Sequence, residues 1–296
     1  MFPDFLPSDV QNLTEATSIA LAQGIQRQPI DTPLADAPIL TAFVQQGQGD
    51  PPPILLLHGF DSSVLEFRRL FPLLAAKAET WTMDLLGFGF TDRTGIPGFD
   101  PGSIKLHLHS FWRQKIRRPM VLIGASMGGA AAIDFVLTYP DCVEKLVLID
   151  AVGFATESAM TKLMFPPFDG WATAFLRNPW VRRRISQTAY CDRSFVTPDA
   201  ELCASLHLQL PNWSEALIAF TKSGGYTFLS QKISQIQPPT LIIWGEQDKI
   251  LGRQDASRFE QAIVNGQLIW TPDCGHVPHL EKPQSTAQTI LEYLEC

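Results

Sequence analysis

Met120-Val121-Leu122-Ile123-Gly124-Ala125-Ser126-Met127-Gly128-Gly129, running into residues 130–139, is the stretch that decides the fold. It reads as an apolar strand, then G-x-S-x-G, then a helix. The spacing has a mechanical cause. The serine occupies a sharp turn with strained dihedrals, and strand and helix pass so closely that near-absent side chains are needed two residues on either side. The turn lifts Ser126 Oγ above the carboxyl ends of the strands. It also aims the Met127 N–H, at a helix N-terminus, toward a developing oxyanion. A bare G-x-S-x-G arises by chance as a Gly-rich turn; the strand before it and the helix after it are the context the functional motif requires.

Working outward, short apolar runs alternate with helical segments. The runs are 54–57, 80–83, 120–123, 146–149, 240–244 and 267–270, each bounded by Gly, Pro or Asp. Runs of this length read as parallel strands covered on both faces, with helices such as 128–139 and 257–264 as crossovers. That is an α/β protein with a mostly parallel sheet flanked by helices. The first fifty residues are peripheral: a capping-box-like Ser8–Gln11, a short helix within 10–25, and strands over 25–30 and 39–45. Alternation stops between residues 155 and 238, which have helix-like patches, many aromatics and no convincing strand. The expected organisation is a core of 1–154 and 239–296 with a helical lid over 155–238.

The chain has 296 residues, 45% apolar, enough to bury a substantial core. With 23 Lys+Arg against 30 Asp+Glu the net charge is −7, which argues against nucleic acid as a partner. No apolar run approaches a bilayer span. Met1-Phe2-Pro3-Asp4 lacks a secretory n-region, so secretion is not expected. Five widely spaced cysteines without a CxxC pair suggest neither a disulfide framework nor a zinc site.

A hydroxyl is a poor nucleophile unless a base removes its proton and a third group orients the base, and in this fold the order is Ser, acid, His. Of six histidines, His276 lies in a loop directly after the 268–270 strand, a carboxyl-end position; His279, three residues on, is the main competitor. His107 and His109 read as a solvated helix face, and His207 as structural. The acid should follow the 241–244 strand, where Asp248 is placed, with Glu246 the nearer alternative and Asp255 a helix cap. The second oxyanion donor is the Phe60 N–H, in the turn that follows Leu55-Leu56-Leu57-His58-Gly59. His58 reads as a brace for that turn. Asp84 belongs to a loop packed beside it, and the G-x-G after Asp84 is too short for a dinucleotide fingerprint.

These residues resemble the α/β-hydrolase family over essentially the whole chain outside the lid. His58-Gly59-Phe60-Asp61-Ser62-Ser63, Glu79-Thr80-Trp81 with Asp84, Arg118-Pro119-Met120, Asp134-Phe135, residues 145–150 and Gln26-Arg27-Gln28-Pro29 are similar to the chlorophyll dephytylases of oxygenic phototrophs. The resemblance implies hydrolysis of the phytyl ester of chlorophyll to chlorophyllide and phytol, with no metal or redox cofactor. It carries the nucleophile to Ser126, the acid to Asp248 and the base to His276. It also implies a protein that is cytoplasmic or peripheral to the thylakoid membrane.

A long apolar substrate needs apolar walls, since each CH₂ taken from lipid forfeits about 0.8 kcal/mol unless replaced. Met160, Met164, Phe165, Phe168 and Trp171 are the expected lid contributors. The bland alternative is that they form the lid's own packing face. Arg182-Arg183-Arg184 reads either as a contact for anionic headgroups in a transient membrane encounter or as a solvated helix face. Two other functions compete with a large-ester hydrolase: a small-ester or carbon–carbon bond hydrolase with the same triad, and a catalytically silent ligand-binding fold.

Overall fold

The computed structural model describes residues 1–155 and 168–295, with Phe168 entering only as the first residue of its helix. The chain runs α1 (Ala16–Gly24), β1 (Gln26–Ile30), β2 (Ile39–Gln46), β3 (Ile54–Leu57), α2 (Phe71–Ala75), β4 (Thr80–Met83), α3 (Pro101–Phe111), β5 (Met120–Ala125), α4 (Met127–Thr138) and β6 (Val143–Ile149). The helices α5 (Phe168–Arg177), α6 (Pro179–Ala189), α7 (Pro198–Cys203) and α8 (Trp213–Lys222) follow. The chain then returns through β7 (Thr240–Gly245), α9 (Gln254–Ala262), β8 (Gly266–Thr271), α10 (Pro278–Glu281) and α11 (Pro283–Glu295).

Eight strands form one sheet in the order β1-β2-β4-β3-β5-β6-β7-β8. The pairs β1–β2 and β2–β4 are antiparallel, and every later pair is parallel. The α/β fold class expected from the strand–helix alternation is therefore the one observed, and each of the six apolar runs is a strand. The reason lies in the pleat. Successive side chains point to opposite faces, so a strand covered on both sides must be apolar at every position. Leu55, Leu57, Leu122, Leu146, Leu148, Ile242 and Trp244 enter one core layer. Their neighbours Ile54, Leu56, Val121, Ile123, Val147, Ile149, Leu241 and Ile243 enter the other. At about 1.5–3 kcal/mol for each large aliphatic side chain buried, these two layers dominate the folding drive.

Three local expectations fail. Ser8–Asn12 is a short 3-10 turn without a side-chain cap, not a capping box. The helix starts only at Ala16, where the Asp199 carboxylate of α7 accepts from the Glu15 N–H at 2.8 Å and the Ser18 hydroxyl at 2.6 Å. Asp255 sits inside the first turn of α9, bonded to Arg258 at 2.8 Å, rather than capping it. His107 is fully buried and bonded to Thr41 Oγ1 at 2.7 Å, so α3 turns it into the protein and away from water. His109 is half-buried, stacked on Tyr139 at 3.9 Å. Between β6 and β7 no strand occurs among the described residues.

Candidate active site

Ser126 joins β5 to α4 at φ 51° and ψ −119°. Glycine is needed on both sides of it for a visible reason. A Cβ on Gly124 would stand 2.3 Å from the Gly128 carbonyl oxygen, and one on Gly128 would stand 2.0 Å from that of Leu57. The turn is pinned by the Ser126 N–H donating to Ile149 O and by Val152 N–H donating to Ser126 O, each at 3.0 Å.

The two other loops reach this serine from the ends of β7 and β8. His276 Nε2 lies 3.0 Å from Ser126 Oγ, and His276 Nδ1 lies 2.9 Å from Asp248 Oδ2. Asp248 Oδ1 accepts from the Ile250 and Leu251 N–H groups at 2.7 and 3.1 Å. Burial pushes the Asp248 carboxyl up, but its bonds to His276 and these amides outweigh burial and hold it below the usual carboxylate range. An ionised Asp248 only accepts, so Nδ1 donates to it, and Nε2 is left to accept from the Ser126 hydroxyl. Among the described residues no bond or ion pair joins Glu246 to His276. His279 instead faces Glu66, with Nε2 3.3 Å from Oε1.

The loop bearing His276 is held by two contacts. The His276 N–H donates to Ala189 O of α6 at 2.7 Å. The buried Glu281 carboxylate accepts from Gly275 N–H at 2.8 Å, Cys191 N–H at 3.1 Å and Asp192 N–H at 2.6 Å.

Asp150, at the end of β6, was not singled out as a site residue in the sequence. It is fully buried, accepts from Gly245 N–H at 3.0 Å, and has carboxylate oxygen within 4.8 Å of both Asp248 and His276. Burial, reinforced by the Asp248 charge, drives its carboxyl well above the usual range and so favours its protonated form. The signal available was a lone acid at the carboxyl end of a wholly apolar strand. These three groups have the composition of a metal site, yet both His276 nitrogens are already engaged, one by Asp248 and one by Ser126.

The turn after β3 supplies the facing wall. A Cβ on Gly59 would stand 3.3 Å from the Ser126 Cβ, which brings the Phe60 segment beside the serine. The Gly59 N–H donates to Glu66 Oε2 at 3.0 Å. His58 accepts from Leu85 N–H at 3.1 Å through Nε2, so Nδ1 donates to Gly59 O at 2.8 Å. Burial lowers the His58 pKa to about 4, keeping it a neutral brace. Asp84 binds the Val64 and Phe90 amides beside this turn. No hydrogen bond within the protein occupies the Phe60 or Met127 N–H among the described residues.

Asp61, the next residue, anchors the helical insert. Its carboxylate meets Arg182 at 2.6 Å, Trp213 Nε1 at 2.7 Å and His207 Nε2 at 3.1 Å. Burial pushes Asp61 up, and His207 with Arg182 reverses this and brings it to about 2. Arg182 therefore points inward and is not available to lipid headgroups; Arg183 pairs with Glu201 at 3.3 Å.

Ser126 and His276 open on a cavity of about 310 Å³. Its described insert wall includes Leu176, Arg182, Ile185, Ala189, Tyr190 and Cys203. Met160, Met164 and Phe165 lie outside the described residues, and Phe168 is seen only as the start of α5. Trp171 is 65% exposed and does not line the cavity, because it sits on the outer side of α5.

A sequence profile described as the alpha/beta hydrolase family matches residues 54–289. The chain is 35% identical over 298 residues to the alpha/beta hydrolase domain-containing protein VTE7 of Arabidopsis thaliana, covering 99% of this chain and 90% of that one. It is 26% identical to the human (Homo sapiens) monoacylglycerol lipase ABHD6, covering 83% and 76% of the two chains. A thermophilic esterase from Thermogutta terrifontis, solved with malate bound, superposes with a TM-score of 0.76 at 25% identity, over 91% of this chain and 98% of the other. The elbow at Ser126, the sheet order and these likenesses agree, and the chain belongs to the alpha/beta hydrolase family.

Proposed function

We propose that this hydrolase cleaves a carboxylic ester of a large apolar substrate, with Ser126 as nucleophile, His276 as base and Asp248 as the orienting acid. The observation that carries the reading is the continuous hydrogen-bonded line from Ser126 Oγ through His276 to Asp248, with 3.0 and 2.9 Å steps, opening on the cavity. In this reading His276 Nε2 takes the hydroxyl proton as Ser126 Oγ attacks the ester carbonyl. The Phe60 and Met127 N–H groups receive the oxyanion, and the imidazolium returns the proton to the departing alcohol. Water then repeats the sequence on the acyl-enzyme.

The phytyl ester of chlorophyll is the substrate we propose, on the resemblance of the segments around the oxyanion turn and the elbow. The cavity is at the low end of the 300–1,000 Å³ usual for ligand pockets, so it encloses the groups around the scissile bond while the rest of a large ester extends through the mouth. Trp171, Phe175 and Trp180 are 65%, 62% and 66% exposed on α5 and α6, alongside exposed Arg183 and Arg184. Aromatic and basic groups together suit an anionic bilayer surface, from which such a substrate would come.

The test is to incubate the protein with detergent-dispersed chlorophyll and separate the products by chromatography. Chlorophyllide is expected, and none with Ser126→Ala. Rapid cleavage of short acyl esters without chlorophyllide would move the assignment to a small-ester or carbon–carbon bond hydrolase.

A further inference from the structure

Several of the charged groups lining the cavity pair with one another or with a neighbour. Asp61 pairs with Arg182 at 2.6 Å, Glu66 with His279 at 3.3 Å, and His276 with Asp248 at 2.9 Å. Arg68 lines the same cavity and is 2% exposed. Its Nη1 donates to Leu65 O at 3.3 Å, while Nε and Nη2 have no hydrogen-bond partner among the described residues. Its nearest carboxylate oxygen is Glu15 Oε2 at 3.9 Å. That carboxylate is already held by Arg69 through two bonds of 2.7 and 2.9 Å. Beside the guanidinium lie the buried Tyr190, whose hydroxyl interacts with it, and Cys203, whose thiol burial pushes up to about 11 and so keeps uncharged.

A buried guanidinium with idle N–H groups is expensive to leave unmatched. Arg68 and Tyr190 both line the cavity that contains the nucleophile, so a second donor, the Tyr190 hydroxyl, stands next to the guanidinium. A ligand oxygen placed there would accept from a fixed, always-charged fork.

We propose that Arg68, with Tyr190 beside it, binds a carboxylate or carbonyl oxygen that the substrate carries away from its scissile carbonyl. Arg68 is thus a specificity-determining residue of the ester-cleaving site, and this rests on the hydrolase reading above. The substrate class becomes an apolar ester with a second, remote oxygen acceptor. A chlorophyll qualifies, because its ring carries ketone and methyl-ester carbonyls; a plain hydrocarbon acyl ester does not.

The experiment compares p-nitrophenyl esters of straight-chain acids from four to ten carbons, each ending in a methyl, a methyl ester or a carboxylate. At one chain length or more, the wild type is expected to favour an acceptor-bearing ester over its methyl-ended counterpart by about 10- to 100-fold in kcat/KM, chiefly through KM. The methyl-ester and carboxylate arms separate a carbonyl ligand from an anionic one. Arg68→Met is expected to collapse that preference, and Arg68→Lys to keep part of it, each checked for folding by circular dichroism. No preference at any length in the wild type, or an unchanged preference in Arg68→Met, overturns the proposal, and the wild-type arm decides even if Arg68→Met does not fold. Full turnover by Ser126→Ala in the same assay would instead sink the nucleophile assignment, whatever Arg68 does.

Discussion

In the proposed reading, Ser126 and the acids behind it divide the work of one proton transfer. Ser126→Ala removes the oxygen bonded to His276 Nε2, and kcat on an activated ester is expected to fall by about 10⁴–10⁶. Asp248→Asn leaves the geometry but offers the imidazole a poorer partner, so a loss of about 10⁴ is expected in the same assay. Asp150 behaves differently because burial and the Asp248 charge favour its protonated form. Asp150→Asn keeps an N–H donor near Asp248 and an oxygen for Gly245 N–H, so kcat/KM should stay within about tenfold of wild type. A drop matching Asp248→Asn would show that the Asp150 charge itself is used. Further away, burial lowers the His107 pKa from 6.5 to about 4. Between those values the unfolded chain binds the proton that the folded one refuses, so this group destabilises the fold progressively as pH falls from 6.5 to 4. His107→Gln removes that penalty. Its stability relative to wild type should be flat above pH 6.5 and improve by up to about 3 kcal/mol at pH 4, measured by urea titration at each pH.

At the level of the element, the decisive contacts are backbone against backbone. Gly128→Ala would drive a methyl into the Leu57 carbonyl, and β3 and α4 cannot both stay in place. About 1–3 kcal/mol of destabilisation is expected in denaturant titration, with ester turnover lost alongside. Such contacts explain why so much of the fold was legible. Both-faced burial makes a strand uniformly apolar, and 54–57 and 80–83 are the strands β3 and β4 with the same limits. The elbow was legible too, because its two glycines and its serine are local. What escaped reading depends on partners distant in the chain. Asp199 caps α1 from 184 residues away, and Thr41 of β2 takes His107 into the interior. Asp150 and Arg68 gain their character from burial beside groups that sequence spacing does not bring together. Arg182 looked like part of a basic surface run only because its partner Asp61 is 121 residues away.

Across the whole molecule the charge is acidic, −7, yet α6 presents Arg183 and Arg184 beside Trp180. If that face meets lipid, replacing Trp171, Phe175 and Trp180 together by Ser should reduce co-sedimentation with anionic phospholipid vesicles by at least about tenfold, while turnover of a soluble p-nitrophenyl ester is retained. Equal co-sedimentation of both proteins would remove the bilayer from the account. No helix among the described residues is long and apolar enough to cross a membrane, so any such contact is made at the surface. The Glu281 carboxylate grips residues on both sides of the boundary between the insert and the sheet domain, Cys191 and Asp192 on one and Gly275 on the other. With the His276 amide also fastened to Ala189, the end of α6 and the His276 ring are tied into a single piece. Any gaping that admits a bulky molecule and leaves His276 beside Ser126 must therefore hinge at this rivet and swing from the opposite flank.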